Sequence, residues 1–115
     1  MNFENSIKIK DLICNSKNIL LCLHESPDPD SIVSNIVMSR YLDTLNKKHR
    51  IVCFDKIPEK FRTLYKTTNL VEDNLTVEKF NIDEFDLFVS LDVGEPSRCG
   101  FPNDIKFENS INIDH

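Results

Sequence analysis

Ile19-Leu20-Leu21-Cys22-Leu23-His24-Glu25-Ser26-Pro27-Asp28-Pro29-Asp30-Ser31 is the stretch that decides the fold. Its first five residues, Ile19 to Leu23, are apolar without a polar break. Such a run suits a strand buried on both faces, as in a parallel sheet. The polar segment from His24 ends it. Beyond that segment, apolar residues fall at Ile32, Val33, Ile36, Val37, Tyr41, Leu42 and Leu45. This spacing predicts a helix from Ser31 to Lys48, with Asp30 and Ser31 as N-caps. Strand, short loop and helix in that order open a parallel α/β unit.

Outward from this unit the same alternation continues. Ser6 to Asn15 reads as a short helix turning Ile7, Leu12 and Ile13 toward a core. Lys47, Lys48 and Arg50 read as a solvated helix end, where cations complement the dipole. Ile51 to Phe54 is a second strand, and Pro58 starts a helix through Tyr65. Thr67 to Lys79 is polar and reads as a mobile connection. Phe85 to Leu91 is a strand, followed by a loop with Gly94, Pro96 and Gly100, and Ile111 to Ile113 is a last strand. The expected architecture is an α/β parallel, Rossmann-like sheet flanked by helices on both faces, in one domain over residues 1–115.

Composition narrows the function. A hydrophobic fraction of 40% supports a real core. Fourteen basic against nineteen acidic residues leave a net charge of −5. That opposes broad, non-specific duplex binding, which needs a basic patch. A small nucleotide or short RNA or DNA substrate stays compatible, because a metal ion supplies positive charge locally. Cys14, Cys22, Cys53 and Cys99 form no C-x-x-C pair, which disfavours a structural zinc site. No apolar h-region or membrane-length run is present, so the expected setting is cytoplasmic, with no membrane partner.

Acidic and histidine residues gather at strand ends. His24, Asp28 and Asp30 follow the first strand, Asp92 follows Val89-Ser90-Leu91, and Asp114-His115 follow Ile111-Asn112-Ile113. In an open parallel sheet the C-terminal strand ends share one edge, where ligands bind. Two carboxylates ~4 Å apart repel by about 4 kcal/mol at an effective dielectric near 20. Proton uptake relieves that repulsion, and so does a divalent cation. The mixture of imidazole and carboxylate suits Mn²⁺ or another first-row metal. Each piece alone has a plainer reading. The Asp28-x-Asp30 pair serves as a helix cap, His24 as a bonded strand-end histidine, Asp92 as a turn former, and Asp114-His115 as a frayed end.

The ordered set resembles the DHH phosphoesterases. His24-x-x-x-Asp28-x-Asp30 is similar to their first motif, Asp92 with downstream Arg98-x-Gly100 to the second, and Asp114-His115 to the start of the D-H-H signature. Pro58, Phe61 and Leu64 resemble the oligoribonuclease and pAp-phosphatase branch. The resemblance implies two Mn²⁺ ions: His24 and Asp28 on the first, Asp30 and His115 on the second, Asp92 bridging both, with Asp114 behind. Arg98 is then a phosphate contact, or else a surface arginine in a structural ion pair.

The implied activity is hydrolysis of phosphodiester or phosphomonoester bonds in short oligoribonucleotides or 3′-phosphoadenosine 5′-phosphate. A cyclic-dinucleotide phosphodiesterase, a manganese inorganic pyrophosphatase and a non-catalytic metal-binding or interaction module are the alternatives. The second histidine, the fourth motif and the substrate-binding domain of the family are not in this sequence. The expectation is therefore an incomplete DHH domain, the N-terminal part of a longer protein. By itself it should bind first-site metal weakly and turn over little substrate.

Overall fold

Asn18–Cys22 (β1) occupies the centre of a five-stranded sheet. The computed structural model describes residues 3–63, 71–91, 99–101 and 109–113. Around β1 lie Phe3–Cys14 (α1), Pro29–Thr44 (α2), Lys48–Val52 (β2), Glu59–Arg62 (α3), Val71–Glu72 (β3), Leu87–Leu91 (β4) and Ser110–Ile113 (β5). The strand order is β3-β2-β1-β4-β5 and every pairing is parallel. Direction of growth reverses between β1 and β4. That reversal makes a crevice at the C-terminal strand ends, where open α/β sheets bind ligands.

Side chains on β1 alternate between two buried faces, which explains its unbroken apolar run. Ile19, Leu21 and Leu23 join Ile51, Leu87, Val89 and Ile111 in one cluster, into which α1, α2 and α3 also pack. Leu20 and Cys22 face Val52, Phe85, Phe88, Cys99 and Phe101 on the other side. The two faces are covered unequally. Among the described residues, the second face is covered by 3₁₀ turns at Val77–Lys79 and Ile82–Glu84 and by aromatic rings. Phe54 sits edge-on to Phe80 and Phe101, at 5.5 and 5.0 Å between centroids.

Several boundaries differ from the sequence expectation, each for a local reason. In α1, Ile9 and Leu12 pack on the core beside buried Ile13, whereas Ile7 is 46% exposed. Ile7 lies six residues before Ile13, about 240° around the helix at 3.6 residues per turn. The α2 N-cap is Asp28, not Asp30 or Ser31, with Pro29 opening the helix. It stops at Thr44 because Asn46 turns left-handed at φ +56° and the Lys47 N–H donates back to the Leu42 carbonyl. The basic run is not one helix end. Lys48 and Arg50 belong to β2, and the Lys47 ammonium donates to the Cys14 carbonyl at the end of α1 and to the Ser16 carbonyl just past it.

The stretch read as a connection contributes β3, whose Glu72 holds the Arg50 guanidinium by two hydrogen bonds of 2.7 and 2.8 Å. A two-residue strand carries too little periodicity to be seen in sequence. Of the helix expected from Pro58 to Tyr65, Glu59–Arg62 is helical, and residues 64–70 lie outside the described residues. The α2 apolar pattern also mixes two faces. Ile32 and Leu42 are fully buried, while Val33, Val37 and Tyr41 are exposed and line an open groove with Leu91 and Ile113. Among the described residues, no helix is long and apolar enough to cross a membrane.

At the opposite edge of the sheet, Asp86 ties β1 to β4. Its carboxylate accepts the Lys17 and Asn18 backbone N–H groups at 2.8 and 3.0 Å. Partial burial pushes the Asp86 carboxyl up, but these N–H donors and nearby Lys17 outweigh it, and the net shift is downward. A carboxyl lowered by folding stabilises the fold fully above its unfolded value, near 3.9, and loses that contribution as pH falls through the folded value. Asp86→Ala is therefore expected to cost about 1.5–3 kcal/mol at pH 7. The gap between variant and wild type, measured by urea unfolding, should close below about pH 4. A gap unchanged at low pH would show that the charge contributes nothing.

Candidate functional site

The loop after β1 is held at four points. The His24 ring is half-buried, and its Nδ1 lies 2.6 Å from the Glu25 carbonyl oxygen. A carbonyl only accepts, so Nδ1 is the donor, and in the neutral ring the lone pair is on Nε2. Ser26 stands at φ +53°, and its N–H donates to Asp55 Oδ2 at 2.7 Å. Pro27 is buried. Asp28 Oδ1 accepts the Ser31 N–H at 2.8 Å, capping α2. Its second oxygen stays available. Asp30 lies exposed in the first turn of α2.

Imidazole and carboxylate are donor types that a divalent cation takes. One imidazole nitrogen has its tautomer fixed by a backbone carbonyl, the usual support behind a metal-binding histidine. One carboxylate is immobilised through a single oxygen, and a second follows two residues on. The helix N-terminus partly offsets the carboxylate charges. His49 behaves differently: its ring lies between the Lys47 carbonyl and the Ser39 hydroxyl, at 2.8 and 2.6 Å, within the fold.

Thiols near the loop do not join the donor set. Burial pushes the Cys22 thiol well up, reinforced by its hydrogen bond to Cys99. Burial likewise pushes the Cys53 thiol up to about 11. Both stay protonated at neutral pH, so nitrogen and oxygen remain the available ligands. All three thiols are buried, as expected of small core residues, and Cys99 Sγ lies 3.6 Å from the Cys22 carbonyl.

His24, Asp28 and Asp30 thus follow the central strand in the loop and first turn of α2, but their side chains are not grouped to hold a metal by themselves. Asp92, Arg98, Asp114 and His115 lie outside the described residues. What the described residues give is the order of the strands that lead to them. β4 lies beside β1, with Val89 opposite Leu21, and β5 lies beside β4, with Ile113 opposite Leu91. Leu91 precedes Asp92 in the chain and Ile113 precedes Asp114. Among the described residues alone, no three His, Cys, Asp or Glu side chains are grouped to hold a metal.

Gly100, the glycine of the second motif, returns to this loop. It adopts φ +104°, and a Cβ there would lie 3.4 Å from Phe54 and 3.6 Å from Glu25 Oε1. Both the backbone and the close approach call for glycine. Sequence reasoning missed Asp55. The signal was present, because Asp55 follows the apolar run Ile51 to Phe54 just as Asp92 follows its own strand.

No protein-family model matches the chain, and neither does any curated protein. Among solved structures, the chain is similar to an exopolyphosphatase-related protein from Bacteroides fragilis. The TM-score is 0.75 with 16% identity, over 97% of this chain and 39% of the other. At that identity the likeness is one of fold. The chain spans 39% of the length of that relative.

Proposed function

We propose that this chain belongs to a metal-dependent phosphoesterase of the DHH type, acting on short oligoribonucleotides or 3′-phosphoadenosine 5′-phosphate. The observation that carries the reading is the adjacency of β1, β4 and β5. Their C-terminal ends lead into the three acidic motifs, which distant stretches of sequence supply. The donor types of His24, Asp28 and Asp30, one imidazole and two carboxylates, support the same reading, and so does the fold shared with a protein named exopolyphosphatase-related.

In this reading His24 and Asp28 would hold one Mn²⁺ and Asp30 and His115 a second, with Asp92 shared between the two and Asp114 orienting the site. When bound, such a metal pair stabilises charge on the phosphoryl oxygens and lowers the pKa of the attacking water. Arg98 steadies a phosphate oxygen. The acidic residues repel a nucleotide until metal is present, so substrate and metal binding are coupled.

The test is hydrolysis by the full-length protein with Mn²⁺. Substrates are a 5′-phosphorylated RNA dinucleotide, 3′-phosphoadenosine 5′-phosphate, a cyclic dinucleotide, pyrophosphate and polyphosphate. Turnover of either of the first two, abolished by Asp92→Ala, is expected. Preference for pyrophosphate, polyphosphate or the cyclic dinucleotide moves the assignment to a sister activity. Absence of Mn²⁺-dependent hydrolysis of every substrate refutes the enzyme reading.

A further inference from the structure

The segment from His24 to Ser31 contains no glycine, yet Ser26 adopts a left-handed backbone at φ +53°. A non-glycine residue stays in that region only when its surroundings hold it there. Among the described residues, the contact that holds Ser26 is a hydrogen bond across the sheet edge, from its N–H to Asp55 Oδ2 at 2.7 Å. Asp55 is itself anchored, because its carbonyl accepts the Asn74 N–H at 3.1 Å, just past β3. Asp55 therefore links the end of β2 to the loop of β1. Ser26 lies two residues after His24 and two before Asp28. Its backbone angles set how the two side chains stand relative to each other.

We propose that Asp55 is a positioning residue for metal binding. Its carboxylate locks Ser26 in the left-handed conformation and so presents His24 and Asp28 to one ion. The proposal rests on the reading of His24 and Asp28 as ligands of a divalent cation. Asp55 acts through the backbone and not as a ligand. Its Oδ2 is occupied by an N–H donor, and a charge-assisted bond of this kind fixes geometry strongly. Pro27 and Pro29 restrict φ on the far side of Ser26. The bond to Asp55 leaves one loop shape in place of several.

The experiment compares Mn²⁺ binding by calorimetry for the 115-residue chain and its variants, with amide hydrogen exchange at Ser26 measured without metal. Asp55→Ala is expected to weaken Mn²⁺ by about 10–100-fold, the usual effect of losing support behind a ligand. Ser26 should lose exchange protection while β1 and α2 keep theirs. Asp55→Asn retains an acceptor of the same shape and is expected to stay within about 3-fold of wild type. If Asp55→Ala does not fold, Asp55→Ser carries the same expectation. Wild-type binding that Asp28→Ala removes but Asp55→Ala leaves intact overturns the proposal alone. An Asp55→Asn loss as large as the alanine loss also overturns it, making Asp55 a ligand. Absence of Mn²⁺ binding by the wild type overturns the site reading and the proposal together.

Discussion

Asp28→Asn is expected to weaken Mn²⁺ binding at least about 10-fold while leaving the fold close to wild-type stability. Asp28 has two separable tasks. One oxygen accepts the Ser31 N–H and caps α2. The other is free for a cation. Asparagine caps helices about as well as aspartate, so the first task survives the change. Loss of the charge at the helix N-terminus costs roughly 0.3–1 kcal/mol. A neutral amide oxygen is a much weaker ligand, and the loop offers one imidazole and the exposed carboxylates of Glu25 and Asp30 besides. Affinity should fall at least about 10-fold, more than the minimum for an outer-shell change.

Asp28→Ala separates the tasks from the other side. It removes the cap as well, and about 1 kcal/mol of additional destabilisation is expected in urea unfolding. The pair of variants thus gives one binding loss and two different stability losses. If both variants bind Mn²⁺ like the wild type, Asp28 is a helix cap only, and the first metal site is lost from the reading.

How far the sequence revealed this site depends on the range of the interactions involved. The loop was legible because its cause is local: an apolar run ends, a polar cluster follows, and helical spacing begins. The caps were misplaced by two or three residues because Asp28, Asp30 and Ser31 are all good caps, and Pro29 decides among them by fitting the first helical position. Strand adjacency was suggested by the acidic strand ends, and the order β1-β4-β5 agrees, but the register was not legible. Leu21 pairs with Val89 and Leu91 with Ile113, contacts that no local pattern encodes. Asp55 escaped for a related reason: its partner, the Ser26 N–H, is a backbone group with no sequence signature.

The fold shows the same division. β1 was read to within one residue and β4 to within two at its start, because both their faces are buried and both runs are largely apolar. β3 was missed because its two residues, Val71 and Glu72, are held by β2 and by the Arg50 pair rather than by their own pattern. On α2, helical spacing identified a helix but not which side was inside. The buried stripe includes Ser31, Asn35 and Ser39, while Val33, Val37 and Tyr41 face outward. Small polar residues let the helix approach the sheet closely, and hydrophobicity alone does not report that.

The largest stability effect is expected at Leu21. This side chain is fully buried on the central strand, opposite Ile51 on one side and Val89 on the other. Leu21→Ala removes its apolar atoms from the larger cluster and leaves a cavity. Such changes cost about 2–5 kcal/mol, depending on how far the surroundings collapse. Collapse is limited here because parallel pairing on both sides fixes the β1 backbone. Alanine is also a poor strand residue. A cost in the upper part of that range is expected, a large share of the roughly 5–15 kcal/mol that holds a domain together. Val37→Ala provides the control. Val37 lies on α2 at 60% exposure, so its truncation should change stability by no more than about 0.5 kcal/mol. Urea unfolding of both variants decides. Equal costs would mean that β1 is not the centre of the core, and that the His24 loop is carried by a less rigid strand than a metal site requires.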